Sequence, residues 1–144
     1  TGVCDRRRDA QVAPLNHLQA LQAVNFGADR KAYVKIGGGT ALASATCQIL
    51  PPNCPGYSPY CPYTSGSDHT KWAGTDIVKA KQLVQQSGTA GMKVVVNSAT
   101  DDTSKALAQQ MVSDPNKLGY KASTQLLTGS VQYPYVQHSN TLHK

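Results

Sequence analysis

The chain has 144 residues, 40% apolar and 15% charged, with a formal net charge of +6. That length and balance fit one folded domain and exclude a generally disordered chain, which would be less apolar and more charged. No run of about 18 apolar residues is present to cross a bilayer as a helix. The basic residues are spread along the chain apart from Arg6, Arg7 and Arg8. They form no basic face interleaved with aromatics, so nucleic-acid binding is not expected.

Residues 1–13 carry no usable periodicity and read as an irregular arm. From Pro14 the pattern changes, with Asn16 placed to cap a helix and Leu18, Leu21, Val24 and Ala28 forming its apolar stripe. A helix is predicted from about 17 to 29, extending toward Lys35. The run "GGGT", Gly37 to Thr40, lacks the preceding strand and the Gly-Lys-Ser/Thr ending of a phosphate loop, so it reads as a turn. Ala41 to Thr75 is rich in Pro, Gly, Ser and Tyr and has no regular pattern. A loop of that length inside a domain is expected to be stapled or to cover something.

Regular structure resumes at "DIVKAKQLVQQSG". Asp76 favours the helix N-terminus, Ile77, Ala80, Leu83 and Val84 share one face, and Gly88 offers a left-handed stop. "MKVVVNS", Met92 to Ser98, reads as a strand whose three valines suggest burial on both faces. Ala106, Leu107, Gln110 and Met111 then fall on adjacent helical turns after an acidic start, with Pro115 predicted to interrupt the helix near Asp114. Tyr120, Ala122, Thr124 and Leu126 alternate with polar residues in a second strand. Strand, helix, strand in this spacing is a βαβ unit with parallel strands. The fold class is therefore α/β, a small layered domain in which the helices at Asn16 and Asp76 cover the sheet.

The four cysteines, Cys4, Cys47, Cys54 and Cys61, are many for a cytosolic domain and suit an oxidising compartment. An extracytoplasmic location is expected, with any leader peptide outside the sequence. Cys47, Cys54 and Cys61 are too widely spaced for a zinc knuckle, and His17, His69, His138 and His143 form no helical pair, so no metal is expected. Asp68 and His69 in "SGSDH" align the letters of a hydrolytic triad, but triad members meet by folding and not by adjacency. Asp101 and Asp102 suit a helix start better than acid and base roles. No enzyme and no cofactor is expected. The loop aromatics Trp72, Tyr133 and Tyr135 are the candidate ligand contacts.

Four phrases in order carry a family resemblance: "LQAVNFGADRKAYV", "CQILPPNCPGYSPYCPYT", "DIVKAKQLVQQSGTAG" and "ALAQQMVSDPNKLGY". Together they resemble extracellular solute-binding proteins of family 5, the peptide and nickel receptors of ABC importers, especially their actinobacterial branch. The resemblance covers residues 14–136, leaving 137–144 as an irregular tail. It implies part of the second lobe of a periplasmic-binding-protein-like fold, with a peptide or other small solute and an importer permease as partners of the full receptor. It also implies a Cys47–Cys61 bridge, because those two positions have counterparts in the family. Cys4 and Cys54 remain as a second candidate pair. Leu21, Gly27, Ala28 and Pro115 depart from the family pattern, and Gly27 is expected to weaken its helix by roughly 1 kcal/mol against Ala.

The first reading is thus a fragment of one receptor lobe with no catalysis. Ligand capture by lobe closure would need a second wall. The alternative is a free-standing small secreted basic protein that binds an anionic surface or partner through Arg6 to Arg8 and its tyrosine-rich loop.

Overall fold

The computed structural model describes residues 13–50, 53–128, 130–131 and 134. Two short helices come first, α1 (Leu18–Gly27) and α2 (Arg30–Ile36), followed after a long connection by α3 (Ile77–Gln86), β1 (Lys93–Ser98), α4 (Asp102–Lys117) and β2 (Lys121–Leu126). The predicted single helix breaks at Ala28, whose backbone is extended, and Asp29 caps a new helix by accepting from the Ala32 N–H at 3.3 Å. Asn16 does not cap α1. His17 occupies that position without a side-chain bond.

α1 turns a different face inward from the one its leucines suggest. Ala20, Ala23, Phe26 and Gly27 are buried, whereas Leu18 is 65% exposed. The small side chains let α1 lie close to Ala80 and Val84 of α3, and Phe26, Leu118 and Tyr120 complete the core. Small residues permit that approach where leucines would hold the axes apart. α1 and α3 therefore pair chiefly with each other, α1 also meets α4, and Val94 of β1 packs against the core they share, while α4 lies directly on the sheet.

Gly27 has a specific reason to be glycine. A Cβ there would stand 2.8 Å from Cδ1 of Leu118, which is itself buried. The expected penalty for a helical glycine is thus a packing requirement at the last residue of α1.

Asp76 and Asp101 behave as sequence chemistry requires: their carboxylates accept from Lys79 N–H at 3.0 Å and Ser104 N–H at 2.9 Å. Gly88 takes φ +68° just beyond α3. β1 and β2 pair in parallel with Lys93 opposite Lys121, confirming the βαβ unit around α4. Burial on both faces of β1 is not found. Val94 and Val96 are half-buried while Val95 is 55% exposed, because only one face of this two-stranded sheet is covered.

Pro115 does not interrupt α4. It is buried in the last turn, where only one helical donor is forfeited, and its carbonyl accepts from Leu118 and Tyr120 N–H. Ala108, Asp114 and Pro115 form the buried side, and Met111 is 42% exposed.

The connection between α2 and α3 contains no helix or strand among its described residues. It is pinned instead. Cys47 and Cys61 are bridged, with Cα atoms 5.0 Å apart, and Cys61 is fully buried. Buried Thr64 accepts from Ala73 N–H at 2.7 Å, and Ser65 N–H donates to the Gly74 carbonyl at 3.0 Å.

Candidate functional site

The exposed leucines of α1 form one wall of an open groove of about 770 Å³, with α2 as its floor and residues 43–49 opposite. Leu18, Leu21 and Ile49 are the exposed large apolar residues of its lining, and Ile49 is fully exposed. Among the described residues Arg30 is the one charged residue lining it. Its Nη1 donates to the Thr46 carbonyl at 2.6 Å, which fixes the guanidinium against the wall beside the Cys47–Cys61 bridge. Partial burial strips some water from Arg30 and lowers its pKa from its ordinary value, yet no carboxylate pairs with it among the described residues. Four of its N–H donors remain uncommitted to the described protein.

Tyr33 also lines the groove, but its hydroxyl is turned to the protein and donates to Asp114 Oδ2 at 3.1 Å. A carboxylate only 2% exposed is thereby tied to α2, and it also accepts from Asp29 N–H at 3.2 Å and Gln110 Nε2 at 2.7 Å. Burial, and next the Asp114 charge, push the Tyr33 pKa far above its ordinary value, so the phenol stays protonated. It can offer a ligand only its oxygen.

A second groove of about 600 Å³ shares Val34, Ala43, Ser44 and Ala45 with the first and holds Lys31, Lys35 and Trp72. Trp72 is half-buried and its indole N–H is covered without a hydrogen-bond partner. Tyr133 and Tyr135 lie outside the described residues, as does Cys4, so the three aromatic candidates are not seen together. Cys54 is free and half-buried. Of the loop tyrosines, Tyr63 packs edge-on against Phe26 with centroids 5.3 Å apart, while Tyr60 is 61% exposed.

Asp68 accepts from Thr70 N–H at 3.0 Å and from its hydroxyl, and His69 contributes its backbone carbonyl to Cys61 N–H. Among the described residues no three His, Cys, Asp or Glu side chains converge as metal ligands, and no helix is long and apolar enough to cross a membrane.

No protein-family model and no curated protein matches the sequence. Solved structures do. Oligopeptide binding protein 2 of clavulanic acid biosynthesis superposes over 85% of this chain with a TM-score of 0.72 at 18% identity. The fold is that of part of a solute-binding protein. The binding protein AgaA of A. tumefaciens R10, solved with agropinic acid, shares it over 91% of this chain with a TM-score of 0.71 and 20% identity. The peptide-binding protein of a peptide ABC transporter does so over 89%, with a TM-score of 0.63 and 20% identity. This chain is thus matched over most of its length, but it spans only 22%, 26% and 58% of those three proteins. These neighbours are family 5 solute-binding proteins, the family whose motifs the sequence resembles, and the Cys47–Cys61 bridge implied by that resemblance is present.

Sequence reasoning did not single out Arg30, Leu18 or Leu21 as groove residues. One signal was available: α1 carries two apolar faces, one of small residues suited to close helix contact and one of leucines left over.

Proposed function

We infer that this chain is part of one lobe, the second, of an extracytoplasmic receptor that binds peptides or similar small solutes and hands them to an ABC importer permease. The observation that carries this reading is the superposition of nearly the whole chain on part of an oligopeptide binding protein. Its disulfide is in keeping with an oxidising compartment outside the cytoplasm. Among the described residues the grooves beside α2 stand open. Such a lobe captures its solute only when a second wall closes on it, so this chain alone binds weakly.

The test is calorimetric titration of a panel of short peptides, against this chain and against the product of the whole reading frame that contains it. Micromolar or tighter binding by the whole product, with weak binding by the chain, is the expected result. A reading frame that continues into unrelated sequence, or a whole product that binds no member of the panel, would overturn it.

A further inference from the structure

We propose that the groove between α1, α2 and residues 43–49 is a subsite for a small ligand with a carboxylate and an apolar body, the carboxylate pairing with Arg30 and the body lying on Leu18 and Leu21. The charge argument comes first. Arg30 is a half-buried cation, and among the described residues no acidic side chain lines the groove and no carboxylate neutralises it. A guanidinium that keeps part of its surface open and has no carboxylate partner gains from an arriving carboxylate through charge-assisted, bidentate hydrogen bonds.

Shape supplies the second argument. The bond from Nη1 to the Thr46 carbonyl holds one edge of the guanidinium and leaves the others for a ligand. Leu18 at 65% and Leu21 at 37% exposure leave apolar surface that a hydrocarbon body would cover. Neighbouring polar groups reinforce anion over cation. The Tyr33 hydroxyl and one N–H of the Asn25 amide are committed within the protein, to Asp114 and the Leu21 carbonyl, and Arg30 is the one cationic donor among the described lining residues.

The groove depends on the staple. Thr46 and Cys47 both line it, and the bridge to buried Cys61 holds that wall against the domain. Opening the disulfide frees the segment that orients Arg30. The subsite deepens the solute-binding reading and rests on it for its place in uptake, naming the acidic end of the solute as the part this lobe holds.

The experiment is an amide-resolved NMR titration of the chain with hexanoate, hexanamide and hexylammonium, each to about 50 mM, a range that detects millimolar affinity. Hexanoate is expected to shift residues of α1, α2 and 43–49 saturably and to bind about tenfold tighter than the amide, as loss of a charged hydrogen-bond pair implies. The Arg30→Gln variant should erase that preference, and reduction of the disulfide should weaken it. Equal binding of acid and amide, shifts confined to other surfaces, an unchanged preference in Arg30→Gln, or no saturable shift would overturn the proposal. If Arg30→Gln does not fold, the acid and amide comparison on the unaltered chain decides. Peptide binding by the whole product with no carboxylate preference here would sink this subsite and leave the receptor reading standing. Carboxylate binding here without peptide binding by the whole product would do the reverse.

Discussion

The Tyr33 hydroxyl donates to Asp114 Oδ2 at 3.1 Å, joining two residues 81 positions apart. This bond ties α2, the floor of the groove, to the last turns of α4. Among the described residues Asp114 accepts from four donors, the fourth being Lys117 Nζ at 3.4 Å. Replacing it with Ala leaves a covered backbone N–H, a phenol and an amide without acceptors. Asp114→Ala should cost about 2–3 kcal/mol in urea unfolding, and Tyr33→Phe about 1 kcal/mol. The Lys117 share is small because that side chain is 50% exposed.

The same pair sets an alkaline limit. The Tyr33 pKa is raised from its ordinary 10.0 in the folded chain, by burial first and then by Asp114. Between the unfolded and folded values the folded state holds one proton more, so stability is fully present below pH 10 and falls as pH rises beyond it. Unfolding curves measured upward from that pH should show the decline, and Tyr33→Phe should flatten it. At the acid end Asp68 and Asp101 are held below their ordinary 3.8 by hydrogen bonds from Thr70 and Ser104 respectively. Their contribution is present above that value and disappears as pH falls through the lowered pKa values.

Three hydroxyls form a directed chain through the core. Ser87 Oγ donates its only proton to the Val84 carbonyl at 2.8 Å, so it must accept from Thr89. Thr89 in turn must accept from the Tyr120 hydroxyl at 2.8 Å. Thr89 is fully buried. Thr89→Val keeps the volume but strands the Tyr120 donor and should cost about 2 kcal/mol. Thr89→Val combined with Tyr120→Phe should cost less than the sum of the single changes, a coupling that a double-mutant cycle in urea would read.

Gly27→Ala should destabilise the chain by about 1–2 kcal/mol despite alanine's better helix propensity, because the new methyl meets buried Leu118. Shortening Leu118 to Ala should make Gly27→Ala nearly neutral in that background. If Gly27→Ala alone raises the thermal midpoint, the close contact is not what selects glycine.

Opening the Cys47–Cys61 bridge, by reduction or by Cys47→Ser with Cys61→Ser, should cost about 3 kcal/mol from the entropy of a loop of about 15 residues. Cys54→Ser, at a free half-buried thiol, should change stability by less than about 0.5 kcal/mol. Thermal unfolding with and without reductant separates the two.

The sequence by itself determined those features whose physics is local. Asp76 and Asp101 cap because a carboxylate three residues before a free N–H does so wherever a helix begins. The parallel βαβ unit follows from the change of apolar period between Val94 and Leu126. The pinned loop was legible as a pattern of prolines and cysteines, though its pairing came from resemblance and not from spacing. Tertiary structure decided which face each element buries. Ala20 and Ala23 face inward, in place of the leucines, because α3 lies close enough that only small side chains fit. Val95 lies open because one face of the sheet is uncovered. The groove exists only where those outward leucines meet Arg30 and the Thr46 carbonyl, 16 residues apart. Contacts of that separation have no local signature, since they depend on where a loop is pulled by a distant bond and not on the residues along it.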